Sequence, residues 1–563
     1  MNLKFLLALT GLLYSSLSPA STAQTPPSLP PGTLEPKRPE LSPLPAPIPT
    51  PIPPPTLTPP APTPSPKPPT DSTTIQVQRI EILGNTVFSP EEIAAVVAPF
   101  ENQIVSFEQL IALRGAITDL YTSKGYTTSG AFLPPQDISS GVIKIQVVEG
   151  ELENIEIKGL KRLRENYVRS RIAIAAAAPV NLQKLETALQ LLQLDPRISR
   201  VRAELTAGTS PGRSILILDL QESPAFAATL SVDNHDSPSV GEIRYSAGVS
   251  HNNVLGFGDV FSANFGLTEG VKTYNLNYAI PLNPRDGTLS LSYANSNSRV
   301  IEDPFEALGI NGNSQTLAIG FRQPVTRTPQ EEFTLGLSAD LRRSETFILD
   351  DVPFSFSAGS ENGVSQITAL RFSQDWVKRS SNRVLAARSQ FNLGLGILGA
   401  TVNETGPDGR FISWVGQFQW VESLGEDSIA IARIATQLTP HSLLPLEQFT
   451  IGGVDTIRGY RQNQQIGDNG IVGSVEFRFP LVRQPEGLGL IQIGPFFDLG
   501  TVWNNQTEVS NPNTLISTGL GLRWQNNRFS ARLDWGIPLK DVENQGNSLQ
   551  DQGLSFSIQV QPF

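Results

Sequence analysis

The chain has 563 residues, too many for one ordinary domain, and sets 53 acidic against 42 basic side chains for a net charge of −11. With no long basic run it offers no surface for neutralising phosphates, which argues against nucleic acid as the main partner. Cysteine is absent, which removes disulfide frameworks and cysteine zinc sites, and beyond the N-terminus no apolar run approaches the ~20 residues of a helical membrane span, a limit that leaves a β-barrel open.

Met1 to Ala23 combine Lys4, an apolar stretch from Phe5 to Leu13 and small residues at Ser21-Thr22-Ala23, the pattern of an export signal cleaved after Ala23. Residues 24 to 72 are of another composition. Between Gln24 and Thr70 fall 21 of the chain's 46 prolines. Proline fixes φ and removes the amide donor, so this segment is expected to be an extended, semi-rigid tether.

From Thr73 a soluble α/β pattern begins. Ile75 to Leu83 alternates like a strand, and Ser89-Pro90-Glu91-Glu92 marks a helix start with proline in the first turn. A second helix is predicted over 106–124, with Leu110, Leu113, Ile117 and Leu120 on one face. Strands near 128–133 and 142–148 complete a β-α-α-β-β order. The order then repeats, with strands at 152–157, 199–205 and 214–220 and helices near 165–175 and 182–194. We assign two tandem units, 73–150 and 151–222. The first, with "IEILGNTVFS" before its helix and "YTSKGYTTSGAFLPPQ" before "GVIKIQVVEG", resembles the polypeptide-transport-associated (POTRA) domains of outer-membrane protein translocases; the second, entered through "ELENIEIKG", is more diverged. A short sheet on a helical layer leaves an edge that can pair with an extended client segment.

From Ala227 onward helical periodicity disappears. Sixteen short alternating segments follow, from 228–234 to 554–560, and an even number of such strands without capping helices is what a closed transmembrane barrel demands. In the last but one, Phe529, Ala531, Leu533, Trp535 and Ile537 form one apolar face, with Ser530, Arg532 and Asp534 on the other. Connectors after even strands are predicted to be short turns, as at 283–287, 379–382 and 525–527. Those after odd strands are predicted to be long, as at 296–313, 344–363, 396–409 and 504–513. The barrel region is thus 223–563, and its longest loop, Leu446 to Gly470 (LEQFTIGGVDTIRGYRQNQQIGDNG), follows strand eleven on the long-loop side.

Parity assigns the lumen. In strand twelve Ser474, Glu476 and Arg478 point inward; in strand thirteen Gln492, Phe496, Asp498 and Gly500 do so. Two carboxylates, Glu476 and Asp498, therefore enter the lumen from adjacent strands, where a guanidinium could bind them through charge-assisted hydrogen bonds.

Ile457-Arg458-Gly459-Tyr460 matches the V/I-R-G-Y loop motif of the outer-membrane translocase superfamily, and Phe496-Phe497-Asp498-Leu499-Gly500 matches its F-x-D-x-G strand motif. With two POTRA-like units before sixteen strands, the chain resembles two-partner secretion transporters of the haemolysin secretion-activation type over its mature length. The resemblance implies a translocation pore in the outer membrane with its N-terminal units in the periplasm. Its partners would be membrane lipid, the machinery that assembles barrels and a large exported client taken in unfolded form. It also implies that the loop folds back into the pore, Arg458 pairing with Asp498, Gly459 permitting close approach and Tyr460 packing on the wall. No nucleotide or other cofactor is implied. An assembly factor that inserts other barrels shares both motifs and is the alternative; two POTRA-like units rather than a longer array favour secretion.

Two features depart from the family pattern. Family members can carry an N-terminal plug helix, yet here proline follows almost at once after the cleavage site. The terminal Phe563 resembles an aromatic assembly signal, but Leu554, Phe556, Ile558 and Val560 have the opposite parity. His235, His251 and His441 are the only histidines and stand in no metal or triad spacing, and no glycine loop suited to phosphate follows a strand, so the expected activity is not catalytic and no metal is expected.

Overall fold

The alternation of Ile75, Val77, Ile80 and Ile82 predicts one strand, but the computed structural model divides it at Gln78. Thr74–Val77 pairs antiparallel with Gln103–Ser106, and Arg79–Leu83 pairs parallel with Val142–Val148. The amides of Gln78 and Arg79 both turn to Gly141 O, at 2.8 and 3.3 Å, which is where the chain changes partners. Gln103–Ser106, four residues long, carried too little pattern to be predicted. The structure describes residues 74–562 apart from 485–486, 507–508, 510–511 and 543–545; the export signal, the whole proline-rich tether with the question of a plug helix, and Phe563 lie outside the described residues.

Both helices of the first unit begin in reciprocal capping boxes, Ser89 with Glu92 and Ser106 with Gln109, each satisfying two otherwise orphaned amides. Leu110, Leu113, Ile117 and Tyr121 then bury against Ile143, Ile145 and Val147 of the sheet. The two units share one topology. In the first, Arg79–Leu83 is parallel to Val142–Val148, which is antiparallel to Gly130–Phe132. In the second, Glu151–Lys158 is parallel to Arg213–Glu222, which is antiparallel to Ile198–Ala207.

A carboxylate at the end of each unit's last strand holds the loop that leads into its first helix. Glu149 accepts from the amides of Thr86 and Val87, at 2.6 and 3.2 Å, and from the Tyr121 hydroxyl at 2.8 Å. Glu222 accepts from the amides of Lys161, Arg162 and Leu163 at 2.7 to 2.9 Å. Burial alone would raise the Glu149 carboxyl, but these hydrogen bonds outweigh it and hold the group below its ordinary value. Because the folded-state value is depressed, the carboxylate's contribution is complete above the ordinary glutamate value of 4.5 and is lost as pH falls through the lower folded-state value. Glu149→Gln is expected to cost the first unit about 1–3 kcal/mol near neutral pH, with the difference from wild type shrinking in acid. Pulse proteolysis of the N-terminal region in the full-length chain across a pH series measures this.

From Phe226–Asp233 to Leu554–Val560, sixteen antiparallel strands close a barrel, the last pairing directly with the first from Ser557–Asp233 to Val560–Leu230. One further pair of strand residues, Val352–Pro353, lies in a connector against the seventh strand, Glu331–Ile348. Alternation sorts the faces: Leu520, Leu522, Leu533, Trp535 and Ile537 are exposed on the outer surface, whereas Ser517 and Asp534 are fully buried within. Ile558 and Val560 of the last strand also face outward.

The loop rule holds with one exception. The connector after the third strand, Val260–Leu267, is only the three residues 268–270, tied beneath its neighbour by Thr268 Oγ1 donating to Val240 O at 2.7 Å. On the opposite rim the turn 253–259 is longer than its fellows because the second α+β unit docks there. The Arg164 amide donates to Gly256 O at 3.0 Å and its guanidinium lies 3.7 Å from the centroid of Phe257. Arg162 Nη1 meets His251 Nε2 at 3.0 Å, and Arg171 pairs with Asp286 in the next turn. The second unit therefore sits at the mouth formed by the short turns.

Candidate functional site: a loop seated in the barrel lumen

The connector between the eleventh strand, Ser428–Leu438, and the twelfth, Asn469–Gln484, turns back into the barrel. Phe449–Ile451 pairs antiparallel with Gln465–Gly467 to form its stem, and Asn469 and Gly470, predicted as loop, already belong to the twelfth strand. A polar tip placed there must find partners for its donors and charges.

Arg458 finds them on three strands. Its Nε and Nη2 donate to the two oxygens of Asp498 at 2.8 and 2.9 Å, a bidentate pair, and its own amide donates to Asp498 Oδ2 at 3.1 Å. Nη1 donates to Glu476 Oε2 at 2.6 Å and lies 3.7 Å from Asp534 Oδ1. The guanidinium also lies flat against Phe496, 3.5 Å from the ring centroid. Arg458 is 4% exposed and Asp498 0%, so water cannot substitute for these contacts.

Its neighbours fit by shape. Gly459 has φ 92°, and a Cβ there would meet Gly536 C and O at 2.8 Å; a Cβ on Gly536 would meet Gly459 N at 2.5 Å. Two glycines thus let loop and wall backbones touch. A Cβ on Gly500 would lie 3.0 Å from Ile457 Cδ1, and Ile457 is fully buried. The Tyr460 hydroxyl lies 2.8 Å from both Ile516 O and Lys540 O. All eight candidate residues, Ile457, Arg458, Gly459, Tyr460, Glu476, Phe496, Asp498 and Gly500, therefore meet at one contact.

Sequence reasoning missed two further anchors. Glu447, fully buried at the loop's start, accepts from Arg371 Nη2 and Nη1 at 2.6 and 3.1 Å and from Arg342 Nη1 at 3.2 Å, while Arg371 Nε also donates to Asp340 at 2.5 Å. Beyond the tip, Arg461 makes a bidentate pair with Asp551 at 2.6 and 2.8 Å and lies 2.9 Å from Glu302. Inward parity of Arg342 and Arg371 was the available signal for the first anchor; Asp551 and Glu302 lie in irregular connectors, where no periodicity points to them. The three histidines meet different neighbours: His251 is at the docking turn, His441 Nδ1 accepts from Ile412 N at 3.4 Å, and the His235 amide donates to Asp233.

A protein-family model described as "Haemolysin secretion/activation protein ShlB/FhaC/HecB" matches residues 212–524, and one described as "POTRA domain, ShlB-type" matches 75–150. The chain belongs to the haemolysin secretion/activation family. Among curated relatives, an "Outer membrane transporter CdiB" of Escherichia coli is 23% identical, over 84% of this chain and 80% of the relative. A "Heme/hemopexin transporter protein HuxB" of Haemophilus influenzae is 21% identical, over 79% of this chain and 80% of the relative. The solved structure of CdiB from Escherichia coli shares the fold, with a TM-score of 0.68, 22% identity and coverage of 90% of this chain and 94% of that one. The transporter is an outer-membrane barrel of the two-partner secretion class with POTRA units on the periplasmic side, and it acts with a large exported partner. The rim of short turns, where the second unit docks, is thus periplasmic.

Proposed function

We propose that residues 73–150 and 151–222 take hold of the exported partner in unfolded form in the periplasm and pass it to the barrel, whose loop tip leaves the lumen as the chain goes through. The observation that carries this is the Arg458 contact: a loop held in the lumen by a buried bidentate ion pair is a closed state with a defined latch. The export signal 1–23 and tether 24–72 would deliver and position the units, and insertion of the barrel into membrane lipid would use the cell's barrel-assembly machinery. The protein performs no catalysis in this scheme and needs no nucleotide; folding of the partner outside supplies direction.

Deleting the gene is expected to abolish surface appearance of one large exported protein while other barrels assemble normally. Quantitative immunoblots of outer-membrane and surface fractions make the comparison. A general loss of barrels would instead assign the chain to barrel insertion.

A further inference from the structure

Around the docked tip and towards the periplasm, one lumen wall carries more positive charge than its carboxylates can match. Arg433 on the eleventh strand stands opposite Ser474 in register, and Arg478 lies further towards the periplasm on the twelfth. Arg523 and Arg532 face each other directly across the fourteenth strand, Thr514–Gln525, and the fifteenth, Phe529–Pro538. Arg458, Arg478, Arg523 and Arg532 share Glu476, Asp498 and Asp534, and Arg433 stands beside them as a fifth guanidinium group. Asp498 is taken up by Arg458 and Ser474. Arg433, exposed to the lumen, makes no hydrogen bond or ion pair among the described residues.

Like charges opposed across a sheet repel, and cations gathered where water is partly excluded repel more strongly. An anion relieves both. A cavity of about 350 Å³ across the lumen, bordered by polar side chains such as Asn264, Asn275 and Ser292, also carries Arg342, Arg371 and Arg388, but these are already paired with Asp340, Glu447 and Asp375, whereas Arg433 has no such pair among the described residues. We propose that Arg433, Arg478 and Arg532 form an anion site in the lumen that takes the carboxylate groups of the polypeptide in transit. A carboxylate entering from the periplasm reaches Arg478 and Arg532 before it reaches Arg433 and Arg458. The proposal rests on the transport reading for the source of the carboxylate; the site itself rests on the charge arrangement.

The test uses the purified full-length chain in planar bilayers under a potassium chloride gradient and reads the openings in which the loop tip has left the lumen. Wild type is expected to pass chloride in preference to potassium, and the double variant Arg433→Gln, Arg532→Gln to lower that permeability ratio by about threefold, as removal of charges lining a pore does. A glutamate decapeptide added on the periplasmic side is expected to block wild-type current, a glutamine decapeptide to leave it unchanged, and the block to weaken in the double variant. Should the double variant fail to fold, Arg433→Gln alone, at a position without an ion pair, gives the same readout. An unchanged permeability ratio overturns the site. A lowered ratio with undiminished peptide block assigns the site to free small anions and overturns the polypeptide source. No exported partner is present in this assay, so its failure leaves the transport reading to its own test in cells.

Discussion

Arg458→Ala is expected to reduce appearance of the exported partner at the cell surface at least tenfold, with the barrel still folded in the membrane. The substitution leaves Asp498 fully buried with Ser474 as its remaining side-chain donor. Removing one partner of a buried ion pair costs about 3–5 kcal/mol, because the other charge is stranded. The barrel avoids most of that cost by releasing the loop tip and admitting water, so the closed state is lost rather than the fold. The strand ladder to either side of Asp498, from Ser474 on one neighbour to Ser517 on the other, does not involve the arginine. Arg458→Lys is expected to behave more like alanine than like wild type, since one ammonium cannot reproduce a bidentate pair, a bond to Glu476 and stacking on Phe496 at once. Secreted partner and heat-modifiable barrel are measured on the same cells. Normal secretion by Arg458→Ala would remove the latch from the proposed mechanism.

Much of the fold was legible because barrel strands obey a period of two over most of their length. Phe529 to Ile537 alternates without interruption, and the twelfth and thirteenth strands point Glu476 and Asp498 inward. The rest was hidden for physical reasons. The break at Gln78 depends on a carbonyl at Gly141, more than sixty residues away, which no local pattern signals. The contribution of Gly536 to the contact exists only because Gly459 approaches it from another part of the chain. Parity places a side chain on a wall; it does not say which lumen residues the loop reaches, so Asp534, Glu447 and Arg461 became visible only with the loop in place.

Glu447→Ala is expected to have the second-largest effect, and to resemble Arg458→Ala although the two residues hold different walls. Arg342 and Arg371 sit on the seventh and eighth strands, Arg458 against the twelfth, thirteenth and fifteenth, so the loop is held across the lumen. Without Glu447, two buried guanidinium groups share Asp340 alone among the carboxylates they now touch, again at a cost of about 3–5 kcal/mol unless water enters. Water enters when the stem at Phe449–Ile451 and Gln465–Gly467 moves away from the wall. If both anchors maintain one closed state, losing either opens it and losing the second adds little. The double variant Glu447→Ala, Arg458→Ala is then expected to secrete and conduct much like either single variant, a non-additivity that a double-mutant cycle on bilayer conductance measures. Strict additivity would mean that the two ends of the loop move independently, and that the tip can leave the lumen while its stem remains held by Arg342 and Arg371.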